Sequence, residues 1–410
     1  MLPASYLCIK EKTFIVIENI SDGLVSSNRE EGYDYSNRSY NRYNRKELFM
    51  MNLENIFSLQ RILKARIAFR FFCAMAMALI LGQAVTDIAA AHDEPEYLIK
   101  FATIVPEGSP WANHIMKVKQ RIEEESKGRI KTKIYLGGTL GGEVEMVRSL
   151  RHGRIQAFGG TTAAVAEATG IPELQALELP YLFDSLDEAA YILDNVVFED
   201  FQKILNKKGF YLAYWHENGW RNFATKKIEI NKPSDLRKLT MRSQESSIHL
   251  AMWRALGVQA EPIPTTEVMV SLMDGMVDGF DMSPVFTVYY GWYAEVDHYA
   301  VSQHMYQPAV ILYSLEFFES LPKDLQKVLI GDPQKEMAWG RNAVREMNES
   351  LLQKFSDKGI KVNILTEGEK AVFREKLLPL HKDFEKVVGR ELLEKIYAGK
   401  KEFALKSKNK

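Results

Sequence analysis

Two arginines, Arg221 and Arg242, are the groups in this sequence best suited to gripping a small charged molecule. Arg242 ends the strand-like piece Leu239-Thr240-Met241-Arg242, which follows the turn Lys232-Pro233-Ser234-Asp235-Leu236. A guanidinium fixed on a strand presents a planar fork of donors that matches a carboxylate. The plainer reading is an arginine on a strand's solvent face. Arg221 stands between Gly219-Trp220 and Asn222-Phe223; a salt bridge between domains is its plainer role.

Two hydroxyls join them through an internal match. Ser149-Leu150-x-x-Gly153-x-Ile155-x-x-Phe158 and Ser271-Leu272-x-x-Gly275-x-Val277-x-x-Phe280 share one pattern. Each copy reads as a helix end, a C-cap glycine and a short buried strand. Chance is the competing explanation, because helix–glycine–strand is common in α/β proteins. Three residues past each copy lie Thr161 and Ser283, near the carboxyl end of a strand, where open α/β sheets hold their ligands. Glu143 opens a helix, as a complement to its dipole or as a ligand contact. Thr265 and Thr266 read first as N-caps, one of them also facing a cleft. Tyr289, Tyr290 and Trp292 form either core or an aromatic wall. His216-Glu217 is too small a set for a metal site. No phosphate loop, nucleophile elbow or cysteine nucleophile is legible, and no cofactor or enzymatic activity is expected.

The elements that would position these groups alternate. Tyr97–Thr103 reads as a strand. Ser109-Pro110 supplies an N-cap and an N1 proline. Trp111, Ile115, Val118 and Ile122 recur at helical spacing as far as Lys127-Gly128, and the residues from Ile130 to Tyr135 form the next strand. This βαβ rhythm implies an α/β fold with parallel strands. Gly331-Asp332-Pro333 should break a long helix. An amphipathic helix follows from Thr366, and the lysine-rich residues 400–410 read as a frayed tail.

The chain has 410 residues, 46% of them hydrophobic, and a formal net charge of −1. That is enough for two domains, and it argues against nucleic acid as the main partner. Arg61, Lys64, Arg66 and Arg70 precede an uncharged run from Phe71 to Leu81, and Ala89-Ala90-Ala91 follows before His92. This is the order of a cleaved secretory signal, with a membrane anchor as the alternative. Residues 1–50 are polar and partly low-complexity, so Met50 or Met51 is the expected start. Both cysteines, Cys8 and Cys73, precede the expected cleavage site, which leaves the mature chain without disulfide or thiolate chemistry.

The segment from Gly219 to Pro284 resembles the substrate-binding proteins of tripartite ATP-independent periplasmic (TRAP) transporters. The similarity runs from about Glu96 to about Phe403. It implies a two-lobe fold with crossing strands and a lobe-spanning helix, here from Leu321 to Lys354. The lobes would be residues 92–218 with 307–347, and 219–306 with 348–403, leaving 404–410 as a tail. The resemblance implies that Arg242 grips a ligand carboxylate, that Arg221 orders the site, and that the loop at Thr161 touches ligand. Ser283 stands where the family often has asparagine, a departure that puts the usual sialic-acid or C4-dicarboxylate ligands in doubt. Implied partners are a small organic acid and the small and large membrane subunits of an ion-gradient-driven transporter, in the periplasm. The alternatives are a receptor for an ATP-driven importer or a sensor, or a binder of a more apolar ligand. Closure would hinge near Asn218 and Gln307.

Overall fold

The computed structural model describes residues 94–408 and six helical positions between 69 and 77. The expected start (Met50 or Met51), the cleavage site at Ala89–Ala91 and both cysteines, Cys8 and Cys73, lie outside the described residues. Among those described, no helix is long and apolar enough to cross a membrane.

The first strand–helix run follows the sequence pattern closely. β1 (Tyr97–Ala102) pairs in parallel with β2 (Ile130–Tyr135). Between them α1 (Pro110–Glu125) begins on Ser109, whose Oγ accepts from the Ala112 N–H at 3.2 Å. Trp111, Ile115 and Ile122 bury one face of α1. α2 (Glu143–Arg151), β3 (Ala157–Thr161) and α3 (Thr162–Thr169) complete this half. The second half repeats the order: β5 (Thr240–Ser243), α4 (Ser247–Leu256), β6 (Gln259–Pro262), α5 (Val268–Met273), β7 (Gly279–Met282) and α6 (Pro284–Tyr289). The internal match falls at equivalent places. Gly153 and Gly275 follow α2 and α5 with φ of 67° and 70°, a backbone conformation that glycine adopts without steric cost.

Two long strands join the halves. β4 (Phe210–Thr225) leaves the first half and pairs with β7 of the second. β8 (His298–Ser314) leaves the second and pairs with β3 of the first. Between them, β4 and β8 run antiparallel. The path is β2-β1-β3-β8-β4-β7-β5-β6, which reads the same from either end when the halves are exchanged. The β4–β8 register shifts between Glu217 and Gly219, opposite Pro308 and Gln307. A bulge there bends the crossing.

The Gly331-Asp332-Pro333 break is observed. α7 (Lys323–Ile330) stops before it, and α8 (Pro333–Asp357) starts after it with Asp332 as N-cap. Pro333 opens a new helix rather than kinking an old one. α8 packs against α1, β4, α6 and β9 (Lys361–Ile364). Gly340 is required on α8, because a Cβ there would collide with the rings of His216 and His114. The amphipathic stretch divides at Pro379 into α9 (Glu367–Leu377) and α10 (Pro379–Val388). The lysine-rich end is not frayed: α11 (Arg390–Lys408) is helical through Lys408. Phe403 packs on Tyr191 with ring centroids 5.4 Å apart, and Lys406 pairs with Glu402 at 2.7 Å. These contacts hold the last turns down.

Candidate functional site

The site lies along the seam between the two halves and is built from the ends of their strands. Thr161 ends β3 and caps α3, its Oγ1 accepting from the Ala164 N–H at 3.3 Å. Ser283 follows β7 and stands at the equivalent N-cap of α6, ahead of Pro284. Its hydroxyl is buried and has no partner among the described residues. The two hydroxyls therefore occupy matching positions in the two halves.

Glu143, at the start of α2, turns inward and is 7% exposed. Its Oε1 accepts from the Thr161 N–H at 2.8 Å and its Oε2 from the Thr161 hydroxyl at 3.2 Å. The Oε1 contact crosses a space kept open by Gly160, where a Cβ would meet Glu143 and the Phe158 ring. Burial pushes the Glu143 carboxyl up to about 7, against the lowering effect of the Thr161 hydrogen bonds. Glu143 thus opens the helix and turns inward, while Glu145 does the capping, accepting from the Gly142 N–H at 3.2 Å.

Arg242 is fully buried. This overturns the plainer reading, an arginine on a strand's solvent face. Its Nε donates to the Ile263 carbonyl at 2.9 Å and its Nη2 to Thr265 Oγ1 at 3.4 Å. Nη1 has no partner among the described residues. Trp292 lies under the guanidinium, 5.6 Å from ring centroid to Cζ, and stacks on Tyr290. Trp292 is thus part of the core beneath the guanidinium. Tyr289 is half-buried against the same core. Burial lowers the Arg242 pKa to about 10, with Arg221 adding to the effect, so the group is still a cation at neutral pH.

Thr265 and Thr266 do not cap α5. The turn Thr265–Glu267 begins after Pro264 and has no side-chain cap. Thr265 instead accepts from Arg242, and Thr266 lies at the rim against Gly138 of the first half.

Arg221 on β4 differs from Arg242. Its Nε donates to Asp281 Oδ2 at 2.5 Å and its Nη1 to Gln307 Oε1 at 2.9 Å. Both Arg221 and Asp281 are fully buried, and His304 Nε2 lies 3.3 Å from the same carboxylate oxygen. Burial drives the Asp281 carboxyl up, but Arg221 and His304 more than offset this and hold it well below the usual range. Arg221 is therefore paired within the second half and beside the crossing strand, not between domains.

Sequence reasoning missed Gln244, Asp281, Gln307, Glu178 and His249. Gln244 Nε2 donates to Thr161 Oγ1 across the seam at 2.8 Å, and its Oε1 accepts from Gln307 Nε2 at 2.7 Å. Gln244 is two residues past Arg242, so the period of the strand could have found it. Asp281 is likewise two before Ser283. Nothing local marks the other three. His216 is buried beneath Trp111 at 3.8 Å between centroids, and Glu217 accepts from Arg345 and Tyr306. Neither belongs to the site, and no group of three potential metal ligands occurs among the described residues.

A cleft of about 690 Å³ opens along the same seam, lined by Glu145, Glu167, Glu245 and Glu267 with Arg148. Arg242 does not line it. Its excess of acid argues against it as the seat of an anion. The free donors lie at Arg242 and Ser283.

Residues 101–387 match the family described as bacterial extracellular solute-binding protein, family 7. The chain belongs to this family, whose members are the solute-binding components of transport systems. It is 27% identical to the 2,3-diketo-L-gulonate-binding periplasmic protein of Escherichia coli, over 64% of this chain and 78% of that one. It is 26% identical to the C4-dicarboxylate-binding periplasmic protein of Rhodobacter capsulatus, over 79% and 95%. The crystal structure of a sugar acid binding protein from Advenella mimigardefordensis, in complex with galactonate, superposes with a TM-score of 0.72. It is 27% identical and covers 74% of this chain and 98% of its own. The fold is accordingly the two-lobe architecture of TRAP solute-binding proteins.

Proposed function

We propose that this protein captures a small hydroxylated monocarboxylate between its two halves, with Arg242 holding the carboxylate. One observation carries this reading: Arg242 is a buried cation with no carboxylate partner among the described residues and an unused Nη1 donor. A buried charge without a counter-charge is costly, and a ligand carboxylate would supply the counter-charge with a planar match. Arg221 already has Asp281, so one anionic group is expected on the ligand rather than two. Glu143, Thr161, Gln244 and Ser283 then provide acceptors and donors for hydroxyls. The galactonate complex of the Advenella protein accords with this choice. The polar lining also weighs against the apolar ligand suggested by Met282, Phe286 and Trp292.

The family implies delivery to the small and large membrane subunits of a TRAP transporter, with no reaction at the bound acid. Export would use the basic, apolar and small-residue segments of residues 61–91. An intact mass of periplasmic protein beginning near His92 is expected. Retention of Phe71 to Leu81 in that protein would refute cleavage.

Calorimetric titration of galactonate and other sugar acids tests the central reading. Arg242→Lys keeps the charge but loses the fork, and Arg242→Ala loses both. Breaking a buried charge pair costs roughly 2–5 kcal/mol, so Arg242→Ala should bind about 30-fold or more weakly, with Arg242→Lys between. Wild-type affinity in a folded Arg242→Ala variant would refute the assignment.

A further inference from the structure

The polar contacts across the seam extend beyond the groups that face the acid. Glu178 ends the 3-10 helix Pro172–Glu178 of the first half. His249 lies on α4 of the second. Their Oε2 and Nε2 atoms are 2.8 Å apart, and both side chains are fully buried. Glu178 is also held from its own side: Oε1 accepts from Thr162 Oγ1 at 2.6 Å, and Oε2 from Gln307 Nε2 at 3.3 Å. The imidazole is not held in this way. Its Nδ1 has no partner among the described residues, so the one polar contact of the ring crosses the seam. Two residues earlier, Ser247 Oγ donates to Gln175 Oε1 at 2.8 Å, again across it.

We propose that Glu178 and His249 form a closure clasp, a positioning pair that prolongs the closed form without touching the acid. The proposal rests on the reading that the halves part and close around a ligand. Thr162 and Gln307 hold the carboxylate ready wherever α4 stands, and closing delivers the imidazole to it. Both groups leave water in that step, which is favourable only when the geometry is good and the remaining lone pairs are satisfied. Three donors meet that condition for Glu178, while the unpaired Nδ1 leaves a cost on the His249 side. Burial pushes its carboxyl up, but His249 and Thr162 more than offset this and keep it below its ordinary range. Gln307 ties the clasp to the acid-facing cluster, because the same amide accepts from Arg221 and donates to Gln244. A closure that misplaced the cluster would thus also misplace the clasp. Removing one partner strands the other in the closed form and leaves the open form untouched.

The two cysteines of the sequence are Cys8 and Cys73, so a chain beginning at His92 accepts spin labels at chosen sites. Arg151→Cys and Arg254→Cys mark exposed positions on α2 and α4. Pulsed electron resonance would measure their separation without ligand, and stopped-flow mixing the release of galactonate. His249→Ala is expected to shift the ligand-free distances outward and to speed release by about 100-fold or more. Adding Glu178→Gln should speed release no further, and His249→Gln, whose amide can donate, should recover part of the loss. Unchanged distances and release in His249→Ala, or simply additive effects, would overturn the clasp. If His249→Ala does not fold, the comparison of His249→Gln with Glu178→Gln decides by the same two readouts. If wild-type protein fails to bind galactonate, the distances decide alone: an outward shift upholds the clasp while the ligand reading falls, and no shift overturns it.

Discussion

Arg221 and Arg242 lie on β4 and β5, with β7 between them, and both are fully buried. Their difference is Asp281. One guanidinium is paired with a carboxylate inside the protein; the other has no carboxylate partner among the described residues. Glu143 adds a titratable group beside this cation. Its carboxyl is pushed up to about 7 by burial, so the folded protein holds a proton that the unfolded chain releases above about pH 4.5. The sign follows from proton binding: stability is highest below the ordinary carboxyl range, falls as pH rises toward 7, and then levels. The full shift corresponds to roughly 3 kcal/mol. Glu143→Gln should flatten this dependence and make the protein more stable than wild type at pH 8, as read by urea denaturation across pH 5–8. A parallel pH profile in the variant would show that Glu143 does not carry the effect.

At the scale of elements, α8 touches both halves, through α1 and β4 on one side and α6 and β9 on the other. Gly340 lets it approach His114 and His216 closely. Glycine to alanine inside a helix ordinarily stabilises by about 1 kcal/mol. Here the sign should reverse, because the added methyl has no room, and overpacking costs roughly 1–3 kcal/mol. A lower denaturation midpoint for Gly340→Ala is expected; a higher one would mean that the helix shifts without cost. Such a glycine is invisible in sequence, since nothing at Trp339-Gly340-Arg341 announces two imidazoles arriving from distant strands and helices. By contrast, β1, α1 and β2 were legible almost to the residue, because Ser109-Pro110 and Lys127-Gly128 are local signals for a helix's ends. The duplicated helix–glycine–strand segment was legible for the same reason. It correctly put Thr161 and Ser283 at equivalent strand ends. Arg242 was placed on its strand from the sequence, but its burial was not foreseen, because burial depends on the Ile263 carbonyl and Trp292 packing over it. Glu178, His249 and Gln307 carry no local pattern and meet only through the crossing of β4 and β8. The helical end of α11 was misread because lysines look like a solvated tail until Tyr191 and Phe403 are seen to pack.

At the scale of the whole molecule, the difficulty is access. Arg242 and Ser283 are fully buried, and Thr161, Gln244 and Glu143 are nearly so. An acid cannot reach a guanidinium with no exposed surface unless the two halves separate first. The polar contacts between the halves include Gln244 to Thr161 and Glu143, His249 to Glu178, Ser247 to Gln175, and Tyr290 Oη to the Ile104 carbonyl at 3.4 Å. Besides α8, the connections that would have to bend are two strands. They cross where the β4–β8 register slips between Glu217 and Gly219, opposite Gln307, and Gly219 there has a φ of 85°. A bulge with a left-handed glycine can absorb a rotation that a regular ladder resists. The ligand-free protein should therefore sample forms more open than this one, and a bound acid should shift the population toward closure by as much as it favours the closed form. Small-angle scattering should give a larger radius of gyration without ligand than at saturating galactonate, with the bound curve matching residues 94–408 as described here. Arg242→Ala should lose the compaction along with the affinity. Identical scattering with and without an acid that calorimetry shows to be bound would mean that it enters by another route, and the two-lobe mechanism would fail.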